Sequence, residues 1–162
     1  IRFDNRVAIV TGAGNGIGKS HALSLAALGA KVVVNDLGGG RDGSGGSLSA
    51  AETVVQEIKA KGGEAMANGA NVAKFDEVQA MVDEAKKKWG RVDIVVNNAG
   101  ILRDKTFAKM ELEDFRTVLE VHLMGSVNCC KAAWETMREQ NYGRIVLTSS
   151  SSGLFGNFGQ SN

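Results

Sequence analysis

The sequence predicts an α/β fold: an open parallel sheet, doubly wound, with helices on both faces in a three-layer sandwich. Three observations carry this. Short runs of valine and isoleucine recur along the chain, each reading as a buried strand. Longer stretches with apolar residues at helical spacing separate them. A cluster of glycines follows the first run and opens the first helical stretch.

Val7 to Thr11 is the first strand, apolar and β-branched, and Gly16 to Leu28 the first helix, closed by Gly29. Lys31 to Asn35 holds three consecutive valines and forms the second strand. Residues 36–47 are a loop carrying Gly38, Gly39, Gly40, Gly43, Gly45 and Gly46. Ser47 to Lys61 is a helix, because Ala51, Val54, Val55 and Ile58 fall on one face; Gly62-Gly63 ends it. Glu64 to Asn68 is a third strand. Asp76 to Trp89 is an amphipathic helix with Val78, Met81, Val82 and Ala85 inward, and Lys86-Lys87-Lys88 complement its dipole. Val92 to Val96 is the fourth strand. Glu111 to Gln140 reads as one long helix, interrupted but not ended by Gly125. Gly143 to Thr148, with Ile145-Val146-Leu147, is the fifth strand, and Ser149 to Asn162 a polar tail.

The 162 residues suit a single domain with a sizeable core, and 43% hydrophobic with 23% charged residues is the balance of a globular chain. A net charge of +1 gives no electrostatic footprint for nucleic acid, and no apolar run approaches the ~20 residues of a membrane helix. Ile1-Arg2-Phe3-Asp4 does not read as a signal peptide, and none is expected from it. There are 21 glycines, where usual composition gives roughly 11, and no proline, where it gives about 8. Such glycine usage points to tight backbone sites. Cys129 and Cys130 are adjacent, too close for ordinary disulfide geometry, so both are expected as thiols in a reducing compartment. No metal site is expected, since only His21 and His122 could join them.

In a doubly wound sheet, ligands bind beyond the carboxyl ends of the strands. After the first strand comes Thr11-Gly12-Ala13-Gly14-Asn15-Gly16-Ile17-Gly18. Glycines there let the backbone turn sharply, approach a pyrophosphate and aim free helix N–H groups at it. After the second strand comes Asp36, 18 residues past Gly18, where a carboxylate accepts hydrogen bonds from ribose hydroxyls and repels a 2′-phosphate, favouring NAD. Arg41, in the loop beyond, is placed to reach a phosphate. Asn97-Asn98-Ala99-Gly100 follows the fourth strand, with Asn98 able to bind backbone or ribose. Ser149-Ser150-Ser151-Ser152 follows the fifth, with hydroxyls suited to a substrate oxygen.

Together these motifs resemble the short-chain dehydrogenase/reductase family. Val34-Asn35-Asp36-Leu37-Gly38-Gly39, Asn98-Ala99-Gly100-Ile101-Leu102-Arg103-Asp104, Val121-His122-Leu123 and Gly156-Asn157-Phe158-Gly159-Gln160 are similar to the (3R)-hydroxyacyl-CoA dehydrogenase domains of multifunctional β-oxidation enzymes. The resemblance implies a single Rossmann-type NAD-binding domain over residues 1–162. It matches Ser150 to the catalytic serine, and His122 to the asparagine that usually completes the catalytic tetrad. Gly12, Asn15, Gly16, Ile17, Gly18, Asp36, Asn98, Ala99 and Gly100 are implied to hold the cofactor. Asn71-Val72 matches the Asp-Val pair that brackets the adenine.

The implied substrate is a 3-hydroxyacyl thioester, oxidised to the 3-oxoacyl form in fatty acid metabolism. The alternatives are an NADPH-dependent 3-ketoacyl thioester reductase and a non-catalytic dinucleotide-binding module. The resemblance also implies a homodimer or homotetramer, consistent with a wide apolar stripe through Phe115, Leu119 and Leu123, and an intracellular site, cytoplasmic if bacterial and peroxisomal if eukaryotic. The family's Tyr-x-x-x-Lys pair is expected directly after Asn162, where the sequence stops. Tyr142 is no substitute, because Val146 stands where its lysine belongs. Residues 1–162 alone are therefore expected to be inactive, and poorly soluble or only partly folded, with the fifth strand an unprotected edge.

Overall fold

The computed structural model describes residues 1–40, 42–45 and 47–162; the expectation for Arg41 lies outside the described residues. Five parallel strands form one sheet: β1 (Val7–Thr11), β2 (Lys31–Asn35), β3 (Ala65–Asn68), β4 (Ile94–Asn97) and β5 (Arg144–Leu147), in the order β3-β2-β1-β4-β5. The strand order runs outward from β1 through β2 to β3, then returns to β4 on the other side of β1, so a cleft opens at the carboxyl ends of β1 and β4.

Helices α1 (Gly16–Ala27), α2 (Ser49–Ala60), α3 (Phe75–Trp89), α4 (Leu112–Leu119), α5 (Gly125–Glu139) and α6 (Ser151–Phe155) connect and flank the strands. Alternate side chains of β1 feed opposite cores, as the two-residue period of a strand dictates. Val7 and Ile9 pack with Val33 and Val95 against Val78, Met81, Val82, Ala133 and Met137. Ala8 and Val10 pack with Val32 and Val34 against Ala22, Val54 and Ile58. Each fully buried valine or isoleucine contributes about 1.5–3 kcal/mol of transfer free energy.

Three expectations need correction. The fourth strand starts at Ile94 and not at Val92, because Val92 N–H donates to Gln140 Oε1 (3.1 Å) and leaves the ladder to begin two residues later. The long helix is broken: a π-helical turn, Glu120–Met124, separates α4 from α5. Such turns insert one residue into the helical ladder and re-aim the side chains they carry. The polar tail holds α6 and a parallel bridge from Lys105 to Gln160. Among the described residues strand β5 pairs only with β4, and its Val146 and Leu147 are exposed, as are Leu123, Val127 and Trp134. Among the described residues no helix is long and apolar enough to cross a membrane.

At the opposite end of the sheet, the wholly buried Asp93 accepts from Arg91 Nη2 (2.6 Å), Arg6 Nη1 (2.8 Å) and Val7 N–H (2.9 Å). Burial would raise its pKa, but these donors, with Arg91 Nε on Oδ2 (2.7 Å) as a fourth, prevail and hold it below the usual carboxylate value. The carboxylate thus locks the entry of β1 to the entry of β4.

Candidate active site

The strand ends bring together what the sequence spaced apart. A cavity of about 440 Å³ lies beyond β1, β2 and β4 and is lined by Gly12, Asn15, Asp36, Leu37, Asn71, Val72, Asn98, Ala99 and Gly100, among others. That volume suits a small-molecule ligand. The turn after β1 forms its floor. Gly12 adopts φ +61°, open to glycine at little cost. A Cβ on Gly18 would lie 2.2 Å from Gly12 O and 2.5 Å from Asn98 Nδ2, so no larger residue closes this turn.

Thr11 is the keystone. Its hydroxyl donates to Val96 O (3.3 Å) and accepts from the N–H groups of Asn98 and Ala99, both at 3.0 Å. The Asn98 amide donates to Thr11 O (3.0 Å) and Gly12 O (3.1 Å), so it braces the glycine turn. The N–H groups of Gly16, Ile17 and Gly18 open α1 without earlier helical carbonyls to satisfy them. Ile17 has an exposed side chain, so its place in the site is that of its backbone.

Asp36 Oδ2 accepts from Gly14 N–H and Oδ1 from Gly38 N–H, each at 2.7 Å. Each oxygen keeps a free lone pair, enough for a vicinal diol. Asn71 Oδ1 accepts from Ala73 N–H (3.0 Å), and the buried Val72 is held by Asn128, whose amide donates to Val72 O (2.9 Å). The cradle closed to any Cβ, the adjacent free N–H groups and the diol-facing carboxylate fit a dinucleotide: pyrophosphate at the turn, adenosine between Asp36 and Val72.

Ser150 and His122 do not line the cavity. Ser150 is the N-cap of α6, its Oγ accepting from Ser152 N–H (3.2 Å), which leaves the hydroxyl proton free to donate. The π turn places the His122 ring against Gly100, where a Cβ would lie 2.8 Å from Cε1. His122 Nε2 lies 3.0 Å from Ile101 N and 2.9 Å from Ile101 O, so either tautomer anchors that loop. Burial pushes the Cys129 thiol up to about 12 and raises that of Cys130, so neither supplies a thiolate at neutral pH.

The sequence reading passed over Asn128 and the α4 residues Glu113, Arg116 and Thr117 along the cavity wall. A buried asparagine in an otherwise apolar helix face was the available signal for the first; surface-type residues on α4 offered none.

Residues 6–162 match the short chain dehydrogenase family. The chain is 52% identical over 165 residues to peroxisomal multifunctional enzyme type 2 of Mus musculus, covering 100% of this chain and 22% of the relative. It is 47% identical over 157 residues to a 3-oxoacyl-[acyl-carrier-protein] reductase of Synechocystis, covering 97% and 60%. Its fold superposes with a TM-score of 0.86 on a short chain dehydrogenase from Mycobacterium avium, 49% identical, covering 97% of this chain and 57% of that one. It reaches 0.89 against a 7α-hydroxysteroid dehydrogenase solved with NADH and 7-oxo glycochenodeoxycholic acid, 35% identical, covering 99% and 59%. The chain thus spans less than two thirds of each of these relatives. The glycine turn, the strand order and the match over nearly its whole length agree: this chain belongs to the short chain dehydrogenase family.

Proposed function

We propose that the protein is an NAD-dependent oxidoreductase interconverting a secondary alcohol and a ketone, with a (3R)-3-hydroxyacyl-CoA thioester of fatty-acid β-oxidation as substrate. The observation that carries the cofactor choice is Asp36, whose carboxylate faces the cavity beside the glycine turn. A 2′-phosphate would meet that negative charge at close range. The substrate class rests on the 52% likeness to a peroxisomal multifunctional enzyme.

In this reading the turn from Gly12 to Gly18 holds the pyrophosphate through backbone N–H groups. Asp36 accepts from the adenosine ribose. Asn71 presents its remaining carbonyl lone pair to the adenine amino group, and Val72 packs on the ring. Asn98 braces the turn and lies along the nicotinamide ribose. Ser150 donates to the substrate oxygen, where charge develops as the alcohol's proton passes to the family's tyrosine, which the resemblance places outside residues 1–162. His122 sets the Gly100–Ile101 loop. The bound dinucleotide supplies a nicotinamide that accepts hydride.

A 3-ketoacyl thioester reductase using NADPH is the second reading, favoured by the 47% likeness to the Synechocystis reductase. The full-length protein should form NADH from a (3R)-3-hydroxyacyl-CoA and NAD faster than it consumes NADPH with a 3-oxoacyl thioester. Faster NADPH consumption would favour the second reading, and no turnover of either substrate would favour a binding module.

A further inference from the structure

The loop that follows β4 makes a set of contacts that the dinucleotide cradle does not need. Arg103 Nε donates to the carbonyl of Asp42 (2.6 Å), in the glycine-rich segment after Asp36. Arg103 Nη1 pairs with Asp114 Oδ1 (2.8 Å) on α4, and Lys105 Nζ takes the other oxygen, Oδ2 (3.0 Å). Gly43 of the same glycine-rich segment rests on Ile101, close enough that a Cβ would lie 3.2 Å from Ile101 Cγ2.

The other side of this loop holds the chain that follows Ser150. Arg103 O accepts from Asn162 Nδ2 (3.2 Å), and Lys105 N–H donates to Gly159 O (2.9 Å). Asp104 Oδ2 accepts from Gln160 Nε2 (2.8 Å), and Gln160 Oε1 accepts from Asn157 Nδ2 (2.9 Å). Arg103 therefore touches both ends of the site. Its guanidinium holds the segment beside the cavity's Gly39, Gly40 and Gly43, and its carbonyl holds the segment leading away from Ser150. The Asp114 carboxylate fixes the guanidinium; hydrogen bonds from Lys105 and Arg103 hold that carboxylate below its ordinary pKa, so it is ionised at neutral pH.

We propose that Arg103 is a positioning residue that couples the two halves of the site: dinucleotide at the Asp36 end and acyl thioester at the Ser150 end each bind more tightly when the other is present. This rests on the functional reading above. The physical cause is shared ordering. A ligand that settles the glycine-rich segment also settles the Arg103 backbone, and through it the segment from Gly156 to Asn162. The second ligand then meets a site whose ordering cost has already been met. By linkage, the gain is the same whichever ligand binds first.

The test uses the full-length protein with NAD and a 3-oxoacyl-CoA, a pair in which both partners are oxidised and nothing turns over. Calorimetry gives the Kd for NAD with and without saturating thioester, and the reverse titration gives the same ratio from the other side. The unmodified protein should show roughly fivefold or greater mutual tightening. In Arg103→Met, which keeps most of the aliphatic stem, the ratio should fall to near one while the Kd for NAD alone stays within about threefold. Arg103→Lys retains a charge for Asp114 but lacks the second donor for Asp42, and should also lose the ratio; it serves as the variant to read if Arg103→Met does not fold. A ratio preserved in both variants, or parallel weakening of both ligands with the ratio intact, would overturn the proposal. Binding of both ligands to the unmodified protein without coupling would overturn it alone. Failure of either ligand to bind at all would overturn the functional reading as well.

Discussion

Replacing Ser150 with alanine is expected to lower kcat by roughly 10²–10³-fold, about 2.7–4 kcal/mol of transition-state stabilisation, with KM changed only a few-fold. The reason lies in how the hydroxyl is used. Its oxygen accepts from Ser152 N–H at the start of α6, so its proton is the part left to offer. A donor aimed at the substrate oxygen counts most when that oxygen carries developing charge. The same change removes a helix cap, a loss of about 1 kcal/mol in stability. Steady-state kinetics well below the melting temperature separate the two effects. A kcat within threefold of the unmodified protein would mean that Ser150 is only a cap.

Asp93→Ala is expected to destabilise the protein by about 1–3 kcal/mol, chiefly the cost of leaving the buried Val7 N–H without an acceptor. Both guanidiniums lose their partner, and the buried Val7 N–H loses its acceptor. The pH dependence has a definite sign. The folded pKa of Asp93 is lowered, so its contribution is fully present above the unfolded carboxylate value of about 3.9 and is lost as pH falls through the folded one. Denaturant unfolding at neutral pH and in acid should therefore show the difference between unmodified protein and variant shrinking in acid. A constant difference down the acid range, or one below about 1 kcal/mol at neutral pH, would remove Asp93 from this role.

The contrast between these two residues shows what a sequence displays and what it hides. The strands β1 and β2 were legible to the residue, because consecutive β-branched side chains buried on both faces admit few other structures. The glycine turn and Asp36 were legible because each follows such a strand directly. Asp93 was not: it was read as one acid within the fourth strand, with no partner visible, and only the fold brings Arg6 within reach, 87 positions away. The π turn at Glu120–Met124 was hidden for another reason. One inserted residue barely disturbs a helical apolar pattern, although it redirects His122 toward Ile101. Five residues of α6 are too few to show periodicity, and the bridge from Lys105 to Gln160 is a long-range contact without local signature. Thr11 was read as the end of a strand, while its hydroxyl ties β1 to three backbone groups of β4 and the loop after it.

The claim on which the rest depends is that the cleft beyond β1, β2 and β4 is an NAD site governed by Asp36. Calorimetric titration of the full-length protein with NAD and with NADP tests it most directly, with Asp36→Ala titrated alongside. NAD should bind saturably and at least about tenfold more tightly than NADP, a difference of about 1.4 kcal/mol. In Asp36→Ala, NAD binding should weaken by about 1–3 kcal/mol, the loss of hydrogen bonds to a charged acceptor, and the gap to NADP should close. Tighter binding of NADP to the unmodified protein, or an Asp36→Ala variant with unchanged selectivity, would contradict the assignment.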